Sequence, residues 1–202
     1  MKIPNYFKQF LQYAWVYSLF QLLAGAQRSR KRFVTQFIRP VAGMHVLDLG
    51  CGPADILDYL PSVKYVGVDD NHFYIEKCKK KYGKKSQFFL NNLGEINTLN
   101  LPKFDLILLL GIIHHLDDKT AKTLFSSLGQ LLNSGGRILS LDPIITKETN
   151  FLAKFFILND RGIFIRDDIQ YKALASKFNI KENIQNQFWL PYTHYIMELQ
   201  NE

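Results

Sequence analysis

Residues Met44–Pro53 read M-H-V-L-D-L-G-C-G-P, and no other stretch constrains the fold as tightly. Val46, Leu47 and Leu49 form an apolar run of the length a buried strand needs. Gly50 and Gly52 end it at once. Alternating glycines after a buried strand force a sharp bend and leave no Cβ between that backbone and an approaching ligand. Asp48 stands just before the bend, where its carboxylate is expected to accept loop N–H groups or meet a cationic ligand. Pro53 suits the first turn of a helix, because its missing N–H has no use there. Strand, bend and helix start together predict a small-molecule cradle in an open α/β sheet.

Two phosphate-binding readings fail on the residues. A dinucleotide fingerprint needs a third glycine three places after Gly52, where Asp55 stands. A Walker loop needs Gly-Lys-Ser/Thr, and no lysine is near. An acid at Asp48 would repel a pyrophosphate and suit a ligand carrying positive charge. D-L-G-C-G resembles motif I of the class I methyltransferases that use S-adenosylmethionine, a donor with an ammonium and a sulfonium. The family usually has a third glycine where this chain has Ala54. The resemblance implies Asp48, Gly50, Cys51 and Gly52 as donor-binding positions, with Cys51 a small filler rather than a nucleophile. The alternative is a plain turn in a related fold.

Further landmarks follow in order. Tyr65–Asp69 reads as a second strand, and Asp69 falls about 20 residues after the bend, where an acid can bind both hydroxyls of a ribose. Asp70 is a second candidate for that edge, and Asp69 could equally cap a helix over Asn71–Tyr82. Gln87–Leu90 predicts a third strand. Where the family has an acid for the adenine amino group, this chain has Asn92, whose carbonyl oxygen could serve or could simply make a turn. Phe104–Leu110 is a nearly continuous apolar run, the mark of a central strand buried on both faces. Phe104–Asp105 and that run resemble the family's motif IV, which places the Gly111 carbonyl near the donor's ammonium. The Asn/Asp-Pro-Pro-Tyr/Phe tetrapeptide of base-amino methyltransferases is absent there, which argues against a nucleobase amine as acceptor.

Lys119–Leu132 has the spacing of an amphipathic helix, Asn133–Gly136 reads as its C-cap, and Arg137–Leu141 as a fifth strand closed by Asp142–Pro143. The resemblance spans Val41 to Pro143. Beyond it, helices are expected over Thr149–Leu158 and Asp167–Phe178, with a hairpin of Ile180–Trp189 and Tyr192–Leu199 turning at Leu190–Pro191. The family fold implied is a Rossmann-like three-layer α/β sandwich, a mostly parallel seven-stranded sheet with an antiparallel last strand. Residues 1–40 are expected as an N-terminal helical cap and 41–202 as the methyltransferase domain.

Ligands of open α/β sheets sit beyond the C-terminal strand ends. Trp189, Tyr192, Thr193 and His194 at the hairpin tip are therefore expected to face the acceptor, and Arg161 or Arg166 to meet an anionic group. Methyl transfer needs a base only when the acceptor arrives protonated. His115 and His194 are the first candidates and His114 the third.

Composition sets the remaining bounds. At 202 residues with 47% hydrophobic and 21% charged residues, one globular domain is expected. Cys51 and Cys78 form neither a disulfide scaffold nor a metal-ligand spacing, in keeping with a reducing cytoplasm. No small-residue cleavage site follows a short apolar core, so no secretory leader is expected. Phe7, Phe10, Leu11, Ala14, Trp15 and Leu19 predict a helix near the start that lids the donor site or, backed by Arg28–Arg32, lies on a membrane surface. The formal charge of +7 leaves an acidic partner open, although much of it sits in Arg28–Arg32 and Lys77–Lys85, runs that usually coat solvated helices. The reading is a cytoplasmic methyltransferase for a small-molecule, glycan or lipid-linked acceptor, with S-adenosyl-L-methionine as cofactor. Its rivals are an RNA methyltransferase and a non-catalytic binder of the same donor.

Overall fold

A computed structural model describes residues 26–149, 151–158, 163–189 and 192–201. The expected helix at Asn5–Ala24, the Asn159–Gly162 turn and the Leu190–Pro191 turn lie outside these residues. Seven strands make one sheet: β1 His45–Leu49, β2 Lys64–Asp69, β3 Ser86–Leu90, β4 Phe104–Leu110, β5 Leu132–Pro143, β6 Phe178–Trp189 and β7 Tyr192–Asn201. Their spatial order is β3-β2-β1-β4-β5-β7-β6. Pairing is parallel throughout except at β7, which runs antiparallel to both β5 and β6. The order reverses between β1 and β4, so their C-terminal ends open a crevice.

The central strands are apolar on both faces because both faces are covered. On one face Leu47, Leu49, Val66, Val68, Ile107 and Leu109 pack with Leu124 and Leu128 of α3 (Asp118–Gln130) and Tyr171 of α5 (Asp168–Leu174). On the other, Val46, Leu106, Leu108 and Leu139 pack with Phe33 of α1 (Ala26–Phe33) and Ile75 of α2 (His72–Tyr82). Neighbours along a strand thus serve opposite layers. Helix α4 spans Phe151–Leu158. Among the described residues no helix is long and apolar enough to cross a membrane.

Several local expectations change. After the bend the chain makes a five-residue 3-10 helix, Asp55–Tyr59, rather than an α-helix beginning at Pro53. Ala54 sits in the left-handed region at φ 54°, which breaks any α-helical run from Pro53. The cap of α2 is Asn71, whose side chain accepts the N–H groups of Phe73 and Tyr74, so Asp69 is left for another task. Asn133–Gly136 belongs to β5 instead of capping a helix. Gly135 turns at φ +73°, and a Cβ on Gly136 would come within 2.8 Å of the Phe104 carbonyl, so this glycine pair lets β5 close onto β4. The Asn133 amide donates to Asp105 at 2.7 Å, and the other Asp105 oxygen accepts His45 N–H at 2.8 Å. Those bonds, the backbone one foremost, hold the Asp105 carboxyl below its usual range. Helix α5 stops at Leu174 because Phe178 is already a strand residue, paired with Asn201 and packed on Phe125.

The two basic runs are partly committed to the fold. Arg30 pairs with Asp55 at 3.2 Å, and Lys81 with Asp58 at 2.8 Å.

Candidate functional site

The glycine bend lies at the C-terminal end of β1 and is tied to β2. Gly50 and Cys51 both donate to the Val68 carbonyl, at 2.7 and 3.1 Å. Gly52 donates to the Asp69 carboxylate at 2.8 Å, and the other Asp69 oxygen accepts Asn71 N–H at 2.9 Å. The glycines are needed for different reasons. A Cβ on Gly50 would stand 2.0 Å from the Ile112 side chain, whereas one on Gly52 would meet nothing within 4 Å. Open space therefore lies directly over Gly52, beside Asp69. Cys51 is buried as a filler, with burial pushing its thiol far above the ordinary range. Gly67 makes room for it: a Cβ there would sit 2.9 Å from its Sγ and 2.8 Å from Phe88.

Asp48 does something other than the sequence suggested. Its carboxylate is buried at 3% exposure and accepts the Tyr65 hydroxyl at 2.6 Å. The N–H groups of Gly50, Cys51 and Gly52 go to Val68 and Asp69 instead. The strand pleat is the reason, since Asp48 alternates with Leu47 and Leu49 and shares the face of Val46. Burial, chiefly, with the charge of Asp69 adding to it, pushes the Asp48 carboxyl up to about 7 against the Tyr65 bond.

The remaining donor-side candidates are near the strand ends. Asp70 is exposed. Asn92 is exposed too, and its side-chain oxygen accepts Gly94 N–H at 2.8 Å, so part of its capacity serves a 3-10 turn over Leu93–Thr98. Gly111 follows β4 at φ +74°, and its N–H donates to Leu141 at 2.7 Å.

Across the crevice, at the ends of β4, β5 and β7, lies a polar cluster that sequence reasoning found only in pieces. His114 occupies a 3-10 turn, Ile113–His115, and is 4% exposed. Its Nδ1 lies 2.8 Å from Asp142 Oδ1, the oxygen that also accepts the His114 backbone N–H at 3.1 Å. Asp142 is buried on β5, and its Oδ2 has no hydrogen-bond partner among the described residues. His194 pairs in register with Pro143 and is buried as well. Burial, with a smaller contribution from His114, lowers its imidazole to about 3, so at neutral pH it is uncharged and a weak proton acceptor. His115 is exposed, its ring centroid 4.2 Å from that of His114.

Arg166 is not offered to an anionic ligand. Its guanidinium donates to the carbonyls of Ile113 (3.1 Å), Leu116 (2.7 Å) and Phe164 (3.0 Å) and to Asp118 (2.7 Å). It clamps the His114 turn from both sides. Thr193 is buried and its carbonyl accepts Ile144 N–H, so it belongs to the sheet. Arg161 and the side chains of Trp189 and Tyr192 lie outside the described residues. The dyad of His114 with Asp142 had no sequence signal beyond a histidine after β4 and an acid at the end of β5.

Residues 47–138 match the family model of a methyltransferase domain. Over that stretch the chain resembles a methyltransferase domain. The match begins in β1 and ends in β5, so it contains the glycine bend, Asp69 and the turn of His114. The chain is 23% identical over 165 residues to the O-methyltransferase cnsE of Penicillium expansum, covering 73% of this chain and 59% of that one. It is 28% identical over 149 residues to the cyclopropane-fatty-acyl-phospholipid synthase of Escherichia coli (strain K12), covering 70% of this chain and 37% of that one. The chain spans 65% or less of the length of the curated relatives it matches. Among solved structures, the magnesium protoporphyrin IX methyltransferase ChlM of Synechocystis PCC 6803, with bound SAH, superposes with a TM-score of 0.65 at 16% identity, covering 88% of this chain and 84% of that one. The likeness to solved structures is one of fold, a seven-stranded Rossmann-like α/β sheet with an antiparallel strand near one edge.

Proposed function

We propose that the methyltransferase domain binds S-adenosylmethionine across the ends of β1, β2 and β4 and transfers its methyl group to a small-molecule, glycan or lipid-linked acceptor. The observation that carries this reading is the open space over Gly52 beside a carboxylate with capacity to spare. An ionised carboxylate has about four lone-pair sites, and Asp69 spends two on Gly52 and Asn71, which leaves enough for the two hydroxyls of a ribose. In this reading the Gly111 carbonyl, just past the end of β4, accepts from the ammonium. When bound, the donor supplies a sulfonium methyl that an in-line nucleophile can take, so the chain's task is to hold two reactants in line. The acceptor side of the crevice is the cluster at the ends of β4, β5 and β7. The similarity to an O-methyltransferase and to a cyclopropane-fatty-acyl-phospholipid synthase supports small-molecule and lipid acceptors.

Calorimetry with S-adenosylmethionine tests the reading. Asp69→Ala is expected to weaken binding at least about tenfold, since charge-assisted hydrogen bonds contribute about 1.5–3 kcal/mol each. Its melting curve must remain cooperative. Unchanged affinity in the folded variant would leave Asp69 a loop tether and nothing more.

A further inference from the structure

We infer that His114 is the catalytic base of this site, held ready by Asp142, and that the acceptor it serves carries a hydroxyl. The inference rests on the donor-binding reading above and goes further by naming the acceptor's reacting group. Three observations converge on it.

The first is the tautomer. Asp142 Oδ1 already accepts the His114 backbone N–H, so it is the acceptor for the ring Nδ1 at 2.8 Å, which carries the ring proton and leaves Nε2 with its lone pair. This is the state in which an imidazole can take a proton. The second is the unbalanced acid. Asp142 is 1% exposed and has an oxygen with no partner among the described residues, a costly arrangement if the fold were its only purpose. A proton arriving at Nε2 turns the neighbouring ring into an imidazolium and gives that carboxylate its counter-charge. The third is placement. A Cβ on Gly111 would lie 3.8 Å from His114 Cε1, so the ring abuts the end of β4, the strand paired with β1 and its glycine bend. The ring is also pinned. Arg166 holds the carbonyls on either side of it, and its own carbonyl accepts Phe164 N–H at 3.0 Å.

Among the described residues, the charged and titratable groups near His114 are Asp142 of β5, His194 of β7, His115 of the same turn and Arg166. Tyr171 of α5 is anchored nearby through its hydroxyl on the Pro143 carbonyl. His194 is a poor rival because it resists protonation down to about pH 3.

The step balances simply. The acceptor oxygen forms a bond to the methyl carbon, the carbon–sulfur bond breaks with its electron pair staying on sulfur, and the hydroxyl proton passes to Nε2 and then to water. A neutral amine attacks without losing a proton first, so it has no need of this device. An alcohol or phenol is a weak nucleophile until its proton leaves, and general-base help is worth about 10²–10⁴-fold.

The test uses the full chain labelled with ¹⁵N. Long-range proton–nitrogen spectra of the imidazoles, with His114 assigned through His114→Gln, are recorded with and without S-adenosylhomocysteine. The expected result at pH 7.5 is Nδ1 protonated, Nε2 unprotonated, and a ring signal that moves when the ligand binds. An Nε2-protonated ring, or one indifferent to ligand in a calorimetrically saturated sample, overturns the inference. Absence of any ligand binding strikes the donor reading instead. Transfer of labelled methyl to catechol and to methyl α-D-glucopyranoside, compared with aniline, an amine that is neutral at pH 7.5, adds a second readout, with the ring spectrum deciding if none of them turns over. His114→Gln and Asp142→Asn should each slow a hydroxyl probe about 10²-fold while binding the donor normally. Aniline as the preferred probe, or variants within threefold of the parent, would refute it.

Discussion

Asp48 and His194 are buried groups whose ionisations pull stability in opposite directions, and the balance between them can be measured. Burial, aided by the charge of Asp69 and opposed by the Tyr65 bond, raises Asp48 from 3.8 to about 7. Between those values the folded chain keeps a proton that the unfolded chain has shed. Stability from this group is therefore full below pH 3.8 and is lost as pH rises toward 7, at about 1.4 kcal/mol per pH unit. His194 works the other way. Burial, with His114 contributing, lowers it from 6.5 to about 3, so the unfolded chain holds the extra proton. Its contribution is full above pH 6.5 and is lost as pH falls toward 3, again at about 1.4 kcal/mol per unit. Between about pH 4 and 6.5 the two slopes cancel.

Removing one group should unmask the other. Urea unfolding at pH 4.5, 5.5 and 6.5 gives the stability of the parent, Asp48→Asn and His194→Asn. Other carboxylates drop out of the variant-minus-parent difference. For His194→Asn that difference should fall by about 3 kcal/mol across the two units, and for Asp48→Asn it should rise by about the same. Differences flat to within about 0.5 kcal/mol would show that neither group is held in its uncharged form, and the argument from burial would fail.

Arg166→Met leaves the Ile113, Leu116 and Phe164 carbonyls without their donor, while the exposed Asp118 simply rehydrates. It should cost about 3 kcal/mol, or a melting temperature about 6–12 °C lower by calorimetry, and Arg166→Lys should recover little because an ammonium cannot span the fork. Gly67→Ala drives a methyl into Cys51 and Phe88 and should destabilise by about 1–3 kcal/mol in denaturant, with Phe88→Leu in the same chain restoring part of it. Gly52→Ala should behave differently. Its methyl meets nothing in the fold, so stability should fall only by the strain of φ +50°, about 1 kcal/mol, while affinity for S-adenosylmethionine drops at least tenfold by calorimetry.

The strand runs, the glycine bend and the position of Asp69 were legible because each rests on local pattern. Runs such as Phe104–Leu110 must be buried on both faces, and a glycine after such a run marks where the chain can bend. Asn133–Gly136 misled for the same reason. A glycine pair after a helix usually ends it, yet here it lets β5 approach β4, a requirement set by a strand 28 residues away.

The sequence by itself determined the alternation of strands and helices and the bare backbone after β1, since hydrophobic period and glycine placement act over a few residues. Only the tertiary structure decided that Asp48 turns inward to Tyr65, that Arg166 clamps a turn instead of awaiting an anion, and that Asp142 meets His114. Those outcomes depend on strand register and on which face of the pleat each side chain takes, and register emerges only when the whole sheet packs.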